Sequence, residues 1–239
     1  DALGRTTKTI ENADNSNPPT SLPRDPAETD TDQQRTTVYG YDSVGHMATL
    51  TAKNSKGLGN GVESQTTTYV YGTAVGGISP AVYRNDLLRA VIYPDSDDPT
   101  DLSGNGNDST YDRVEYKYNR LGRRIWMKDQ RTLVHEYEYA TNGANAAGEL
   151  TIDKVTTLPG GVDPTVKRIE RAFDTRGRVT TIGSYDAASS GNLVNEVTFT
   201  YNDSAGGWGS LSSFEQDNTG SASATVSFAY ADGNVSGVD

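Results

Sequence analysis

Val114-Glu115-Tyr116-Lys117-Tyr118-Asn119-Arg120-Leu121-Gly122-Arg123-Arg124-Ile125-Trp126-Met127-Lys128 is the stretch whose reading decides the fold. Its first five residues alternate strictly, with Val114, Tyr116 and Tyr118 on one face of an extended strand and Glu115 and Lys117 on the other; this is the pattern of a half-buried strand. Asn119 can bond its own backbone in an Asx-turn, and Gly122 can take the positive φ that residues with a Cβ avoid. Arg123 to Lys128 then resumes the alternation with large side chains. The unit reads as strand, turn, strand, with a turn longer than the tightest two-residue hairpin.

Outward from this stretch the same unit recurs. Tyr41-Asp42-Ser43-Val44-Gly45-His46 and Phe173-Asp174-Thr175-Arg176-Gly177-Arg178 keep the order of aromatic, acid or amide, two spacers, glycine and a basic residue. Weaker copies are Tyr201-Asn202-Asp203-Ser204-Ala205-Gly206 and Tyr230-Ala231-Asp232-Gly233-Asn234, while Tyr69-Val70-Tyr71-Gly72 and His135-Glu136-Tyr137-Glu138-Tyr139 keep the strand and lose the turn. Asp1-Ala2-Leu3-Gly4-Arg5 has the form of a turn without its preceding Tyr, and Ser236-Gly237-Val238-Asp239 breaks off just after another repeat turn, so both ends read as cuts through a longer chain. The final aromatics fall at Tyr118, Tyr139, Phe173, Tyr201 and Tyr230. This drifting period predicts an all-β fold, a curved or spiralling antiparallel sheet of hairpins rather than a solenoid of identical coils.

Composition agrees. Only 33% of the 239 residues are hydrophobic and the mean hydropathy is -0.65, which argues against a thick apolar core. The 14 Tyr, against 4 Phe and 2 Trp, can cover a sheet while keeping a polar tip near water. One hairpin alone buries too little to offset its backbone ordering, so neighbouring repeats must stack. A net charge of -11 argues against a nucleic-acid groove, which needs clustered Lys and Arg. With no Cys there is no disulfide framework or thiolate metal site. No apolar run is long enough to cross a bilayer as a helix.

The prolines at 18, 19, 23 and 26 make 13–35 an excursion loop between strands. A second loop, 95–109, is acidic and rich in Gly and Asn. Asp95, Asp97, Asp98, Asp101 and Asp108 offer the hard oxygen ligands calcium prefers, but the ligand spacing fails at Asp98-Pro99 and no Glu closes the loop. A solvated loop is the plainer reading, and no cofactor is expected beyond that weak calcium candidate. The two histidines, His46 and His135, lie in no nucleophile or metal motif and read as structural or surface residues. Asp42 and Asp174 could suggest paired-acid catalysis, yet their fixed place before the turn glycine points to turn capping. No catalytic residue is assigned. Trp126 and Trp208 could stack on sugars; the alternative is packing on neighbouring repeats.

The recurring unit resembles the YD repeat of the RHS family, a Tyr-Asp pair followed two residues later by Gly-Arg or Gly-Asn and a strand. Tyr41-Asp42…Gly45 and Phe173-Asp174…Gly177-Arg178 carry the match best, with Tyr118-Asn119…Gly122-Arg123 next. The resemblance covers nearly the whole chain. It implies a hollow β-shell like those of bacterial RHS polymorphic toxins, the C component of ABC toxins and teneurins, enclosing a toxin or serving as a cell-surface adhesion scaffold. In toxin-bearing members an Asp-Pro-Gly core motif closes the shell. Here Asp25-Pro26, Asp98-Pro99 and Asp163-Pro164 are followed by Ala27, Thr100 and Thr165, so self-cleavage is not assigned. The expectation is a non-catalytic segment of a secreted or cell-surface bacterial protein. Its partners would be flanking repeats, or further copies joined through edge strands into a filament. The rival expectation is a glycan-binding module, calcium-assisted or not.

Overall fold

The computed structural model of the chain describes residues 1–11, 35–53, 64–72, 84–94, 97–107, 110–141, 147–204, 209–218, 222–231 and 234–238. It is all-β and antiparallel, with no helix among the described residues. Contacts divide it into two units, Asp1–Arg123 and Arg124–Asp239. In each, the strands pair in chain order, as strands consecutive in sequence commonly do.

The first unit holds β1 (Lys8–Glu11), β2 (Arg35–Tyr41), β3 (Met47–Lys53), β4 (Gln65–Tyr71), β5 (Leu88–Ile92) and β6 (Arg113–Tyr118). Each pairs antiparallel with the next. Arg35, assigned from sequence to the excursion loop, opens β2; the rest of 13–35 lies outside the described residues.

Its core sits on a face the alternation of β6 did not single out. In the register Ala90↔Glu115 and Ile92↔Arg113, these four residues share one face, and residues 97–107 fold over it. Leu102 from that segment joins Ala90 and Ile92, all at most 4% exposed, with Val70 packed against them. Glu115 and Arg113 are consequently 5% and 3% exposed, while Val114, Tyr116 and Tyr118 stay half-buried. The covered side of β6 is therefore the charged one. A loop supplies the cover, and strand periodicity cannot foresee a loop.

The second unit contains β7 (Arg124–Lys128), β8 (Val134–Tyr139), β9 (Leu150–Thr157), β10 (Arg168–Phe173), β11 (Val179–Tyr185), β12 (Leu193–Asn202), β13 (Ser210–Asn218), β14 (Ala224–Ala231) and β15 (Asn234–Val238). All pair antiparallel in sequence order. β13 and β15 were not expected. Leu211 and Phe214 are the only large apolar residues of β13 and give no period-two signal. Phe214 nonetheless links two strands that were expected: its ring lies 6.4 Å from Phe199 and 6.1 Å from Phe228, an aromatic ladder across β12, β13 and β14.

A bulge accompanies the motif aromatic in hairpin after hairpin. Gly40 pairs with Thr49 but Tyr41 with Met47, leaving Ala48 unmatched. The same slip leaves Arg89 unmatched opposite Tyr71, Thr151 opposite Tyr139, Thr180 opposite Phe173 and Ser212 opposite Tyr201. One extra residue on the return strand turns the following side chains to the other face and sharpens the local twist. At β5 this puts adjacent residues, Arg89 and Ala90, both in the interior.

Candidate functional site

Among the described residues the recurring site is the turn after each motif aromatic. Asp174 shows how it is built. Its Oδ1 accepts the backbone N–H of Arg176 and of Arg178, each at 2.9 Å. Its own N–H donates to the Arg178 carbonyl at 2.9 Å, and the Gly177 N–H donates to the Asp174 carbonyl at 3.0 Å. Gly177 sits at φ 80°, where a Cβ would crowd the backbone. The same arrangement recurs at Asp1, Asp42 and Asn119, closed by Gly4, Gly45 and Gly122 at φ 76°, 102° and 78°.

Two turns depart from the sequence reading. Asp129 caps an identical turn, accepting from Arg131 and Leu133 at 3.0 and 2.9 Å, with Thr132 rather than glycine at φ 65°. Without glycine it carries no motif, and only the Asp at the end of a strand hints at it. At Asn202 the turn closes on Gly209, whose N–H donates to the Asn202 carbonyl at 2.9 Å. Gly206, expected in that role, lies outside the described residues, as does Gly233 after Tyr230.

The tyrosines join one hairpin to the one before it. Tyr41 Oη donates to the Thr6 carbonyl at 2.7 Å, Tyr118 to Leu88 at 2.6 Å, Tyr139 to Arg124 at 2.7 Å, Tyr201 to Val179 at 2.8 Å and Tyr230 to Leu211 at 2.8 Å. Thr6, Val179 and Leu211 each stand two residues after a turn glycine, Gly4, Gly177 and Gly209. The turn cation completes the joint. Arg5 lies 4.2 Å from the Tyr41 ring centroid and Arg178 4.2 Å from that of Tyr201. Tyr201→Phe, which removes one hydroxyl and leaves the ring, is expected to cost about 0.5–1.5 kcal/mol in urea unfolding. An unchanged midpoint would count against the hydroxyl as a joint.

His46 occupies the arginine position of its turn and does the same work. Its Nδ1 lies 3.0 Å from Asp42 Oδ2, and its ring stacks on Tyr71 of the next hairpin at 4.7 Å. His135 pairs across strands with Asp153 at 2.8 Å and stacks on Tyr137 at 5.9 Å. Both histidines thus have carboxylate partners that spacing alone did not reveal, and both pairs sit half-buried on strands or turns. Trp126 is half-buried on β7, opposite Glu136; Trp208 lies outside the described residues.

The acidic loop is tied inward. Asp98 is paired with Arg113 at 3.0 Å, their side chains 1% and 4% exposed, and accepts the Asp112 N–H at 3.0 Å. Arg113 also donates to Glu115 at 2.7 Å and to the Gly104 carbonyl at 2.6 Å, and its guanidinium lies over the Tyr111 ring. Asp97 accepts the Asn107 N–H and Asp101 the Ser103 N–H. Asp95 and Asp108 lie outside the described residues, among which no group of three His, Asp or Glu is placed to hold a metal ion. Burial pushes the Tyr111 phenol well up, with the Glu115 charge adding to it. Burial also lowers the Arg89 guanidinium, against the pull of Glu115.

The carboxyls of Asp42, Asp174 and Asp203 ionise below their ordinary value of 3.8. Partial desolvation works the other way at Asp174, but the Arg178 backbone and guanidinium outweigh it; Asp42 behaves alike through His46, Gly45 and Val44. At Asp203 the Arg178 guanidinium is the leading cause; their contacts run at 2.8 and 2.9 Å. A carboxyl whose folded pKa is depressed stabilises the fold above its unfolded value and loses that contribution as pH falls through the folded one. The melting temperature is therefore expected to hold from neutrality to about pH 5 and to drop as the turn carboxyls protonate. Asp174→Asn, which keeps an acceptor as Asn119 does, should blunt the drop. An equal drop in that variant would remove the turns as its cause.

Among the described residues no helix is long and apolar enough to cross a membrane. No protein-family model matches the chain, and no curated protein sequence does. Solved structures are similar at low identity. A crystal structure of TcdB2-TccC3 without its hypervariable C-terminal region aligns with 85% of the chain at 13% identity and a TM-score of 0.40. The Tc holotoxin pore of Photorhabdus luminescens, with a mutation in TccC3, aligns with 81% at 12% identity and a TM-score of 0.41. In both cases the chain spans 10% of the length of the chain it is compared with.

Proposed function

We propose that this chain is a non-catalytic wall segment of a large YD-repeat protein of the RHS type, secreted or on the cell surface. What it contributes is a sheet that encloses or displays something else. The observation that carries this reading is the joint described above: a turn fixed by Asp or Asn, a cation lying on the next tyrosine, and a tyrosine hydroxyl bonded back to the preceding turn. Side chains with chemistry in them are spent on holding hairpins to hairpins. Flanking repeats are the natural partners of strands that border the array, since their free backbone groups otherwise face water.

Electron microscopy of the natural full-length product tests this. The expected image is a hollow or trough-shaped β wall that includes these strands. A compact domain standing apart from any wall would overturn the proposal. A glycan array, run with and without chelator, tests the rival: no retained sugar is expected, and a sugar lost on Trp126→Ala would favour a binding module instead.

A further inference from the structure

We infer that Asn105 is a site of spontaneous chemical conversion, at which the loop over the first unit's core loses ammonia and acquires an aspartyl or isoaspartyl residue. Asparagine is among the thermolabile residues, and the reaction is balanced without any oxidant or cofactor. The backbone nitrogen of the following residue attacks the side-chain Cγ, its proton leaves to a solvent base, and the amide nitrogen departs as ammonia. Water then opens the resulting five-membered imide at either carbonyl.

Three features of Asn105-Gly106 favour that reaction. The attacking nitrogen must be reachable: Gly106 has no Cβ and is exposed, with Asp97 packed against one side of it. The nitrogen must also be uncommitted: the Gly106 N–H donates to no described residue, whereas the amides of Gly45, Gly122 and Gly177 are all held by turn carbonyls. The asparagine side chain must be free to swing back over the backbone. Asn105 makes no side-chain hydrogen bond to another described residue, in contrast to Asn119, whose Oδ1 is fixed by the amides of Leu121 and Arg123. Gly106 is also hard to replace, since it sits at φ 67° with the Asp97 carboxylate where a Cβ would go. The reactive dipeptide is thus maintained by the loop's own packing.

The product would matter locally. An isoaspartyl link lengthens the backbone directly after Gly104, whose carbonyl accepts the Arg113 guanidinium. It also adds a carboxylate to a segment that already holds Asp97, Asp98 and Asp101.

The folded chain is incubated at mildly alkaline pH and mapped over time by peptide mass spectrometry, with isoaspartate-methyltransferase labelling. Residue 105 is expected to convert several-fold faster than Asn119 or Asn195. Asn105→Gln, whose longer side chain would close a larger and slower ring, should abolish the labelled product from that peptide. The inference is overturned if residue 105 stays an amide while the same residue in the urea-unfolded chain converts. It is equally overturned if the label persists in Asn105→Gln.

Discussion

Arg113→Ala is expected to destabilise the first unit by about 3–5 kcal/mol, the range for stranding the partners of a buried ion pair. Arg113 is 3% exposed and holds Asp98, Glu115 and the Gly104 carbonyl together. Truncating it leaves Asp98 and Glu115 in the interior with only the charge of Arg89, which Glu115 already supports, so one carboxylate must protonate or draw in water. Replacing Asp98 and Arg113 together by apolar residues of similar volume, which keeps Glu115 beside Arg89, should cost far less, because the desolvation penalty goes with the removed pair. Urea denaturation of the single and double variants separates these outcomes. A single variant as stable as the parent would mean that the pair lies in water.

Leu102→Ala should cost about 2–5 kcal/mol, the range for deleting a buried leucine and leaving part of its cavity. Leu102 is 3% exposed against Ala90 and Ile92 and stands at φ 62°. Leu and Ala share the steric objection to that conformation, so the substitution isolates the packing term. The loss should appear with faster proteolysis within 97–107, since Leu102 is the apolar anchor of that segment. Local nicking without a shift in the unfolding midpoint would show that the loop opens independently of the sheet.

The hairpins were legible in the sequence because period-two alternation and Asx-Gly turns are local signals. Tyr41-Asp42 and Phe173-Asp174 announce their turns within six residues. What escaped was whatever depends on partners distant in the chain. The alternation of β6 was read correctly, but which face is covered was decided by a loop and by Arg113 meeting Asp98. The turn at Asp129 was missed because Thr132 stands where glycine normally advertises a positive φ. Likewise the bulges opposite Tyr41, Tyr139 and Tyr201 leave no mark in composition: an unmatched Ala48, Thr151 or Ser212 looks like any other strand residue. Of the acidic loop, the sequence showed the charges and not their inward commitment.

The five tyrosine bonds described above run the same way. Tyr41, Tyr118, Tyr139, Tyr201 and Tyr230 each reach towards a residue nearer the N-terminus. During synthesis, which delivers the N-terminal end first, each of these five aromatics arrives after its acceptor. Assembly within each unit can therefore advance in the order of translation, one latch at a time.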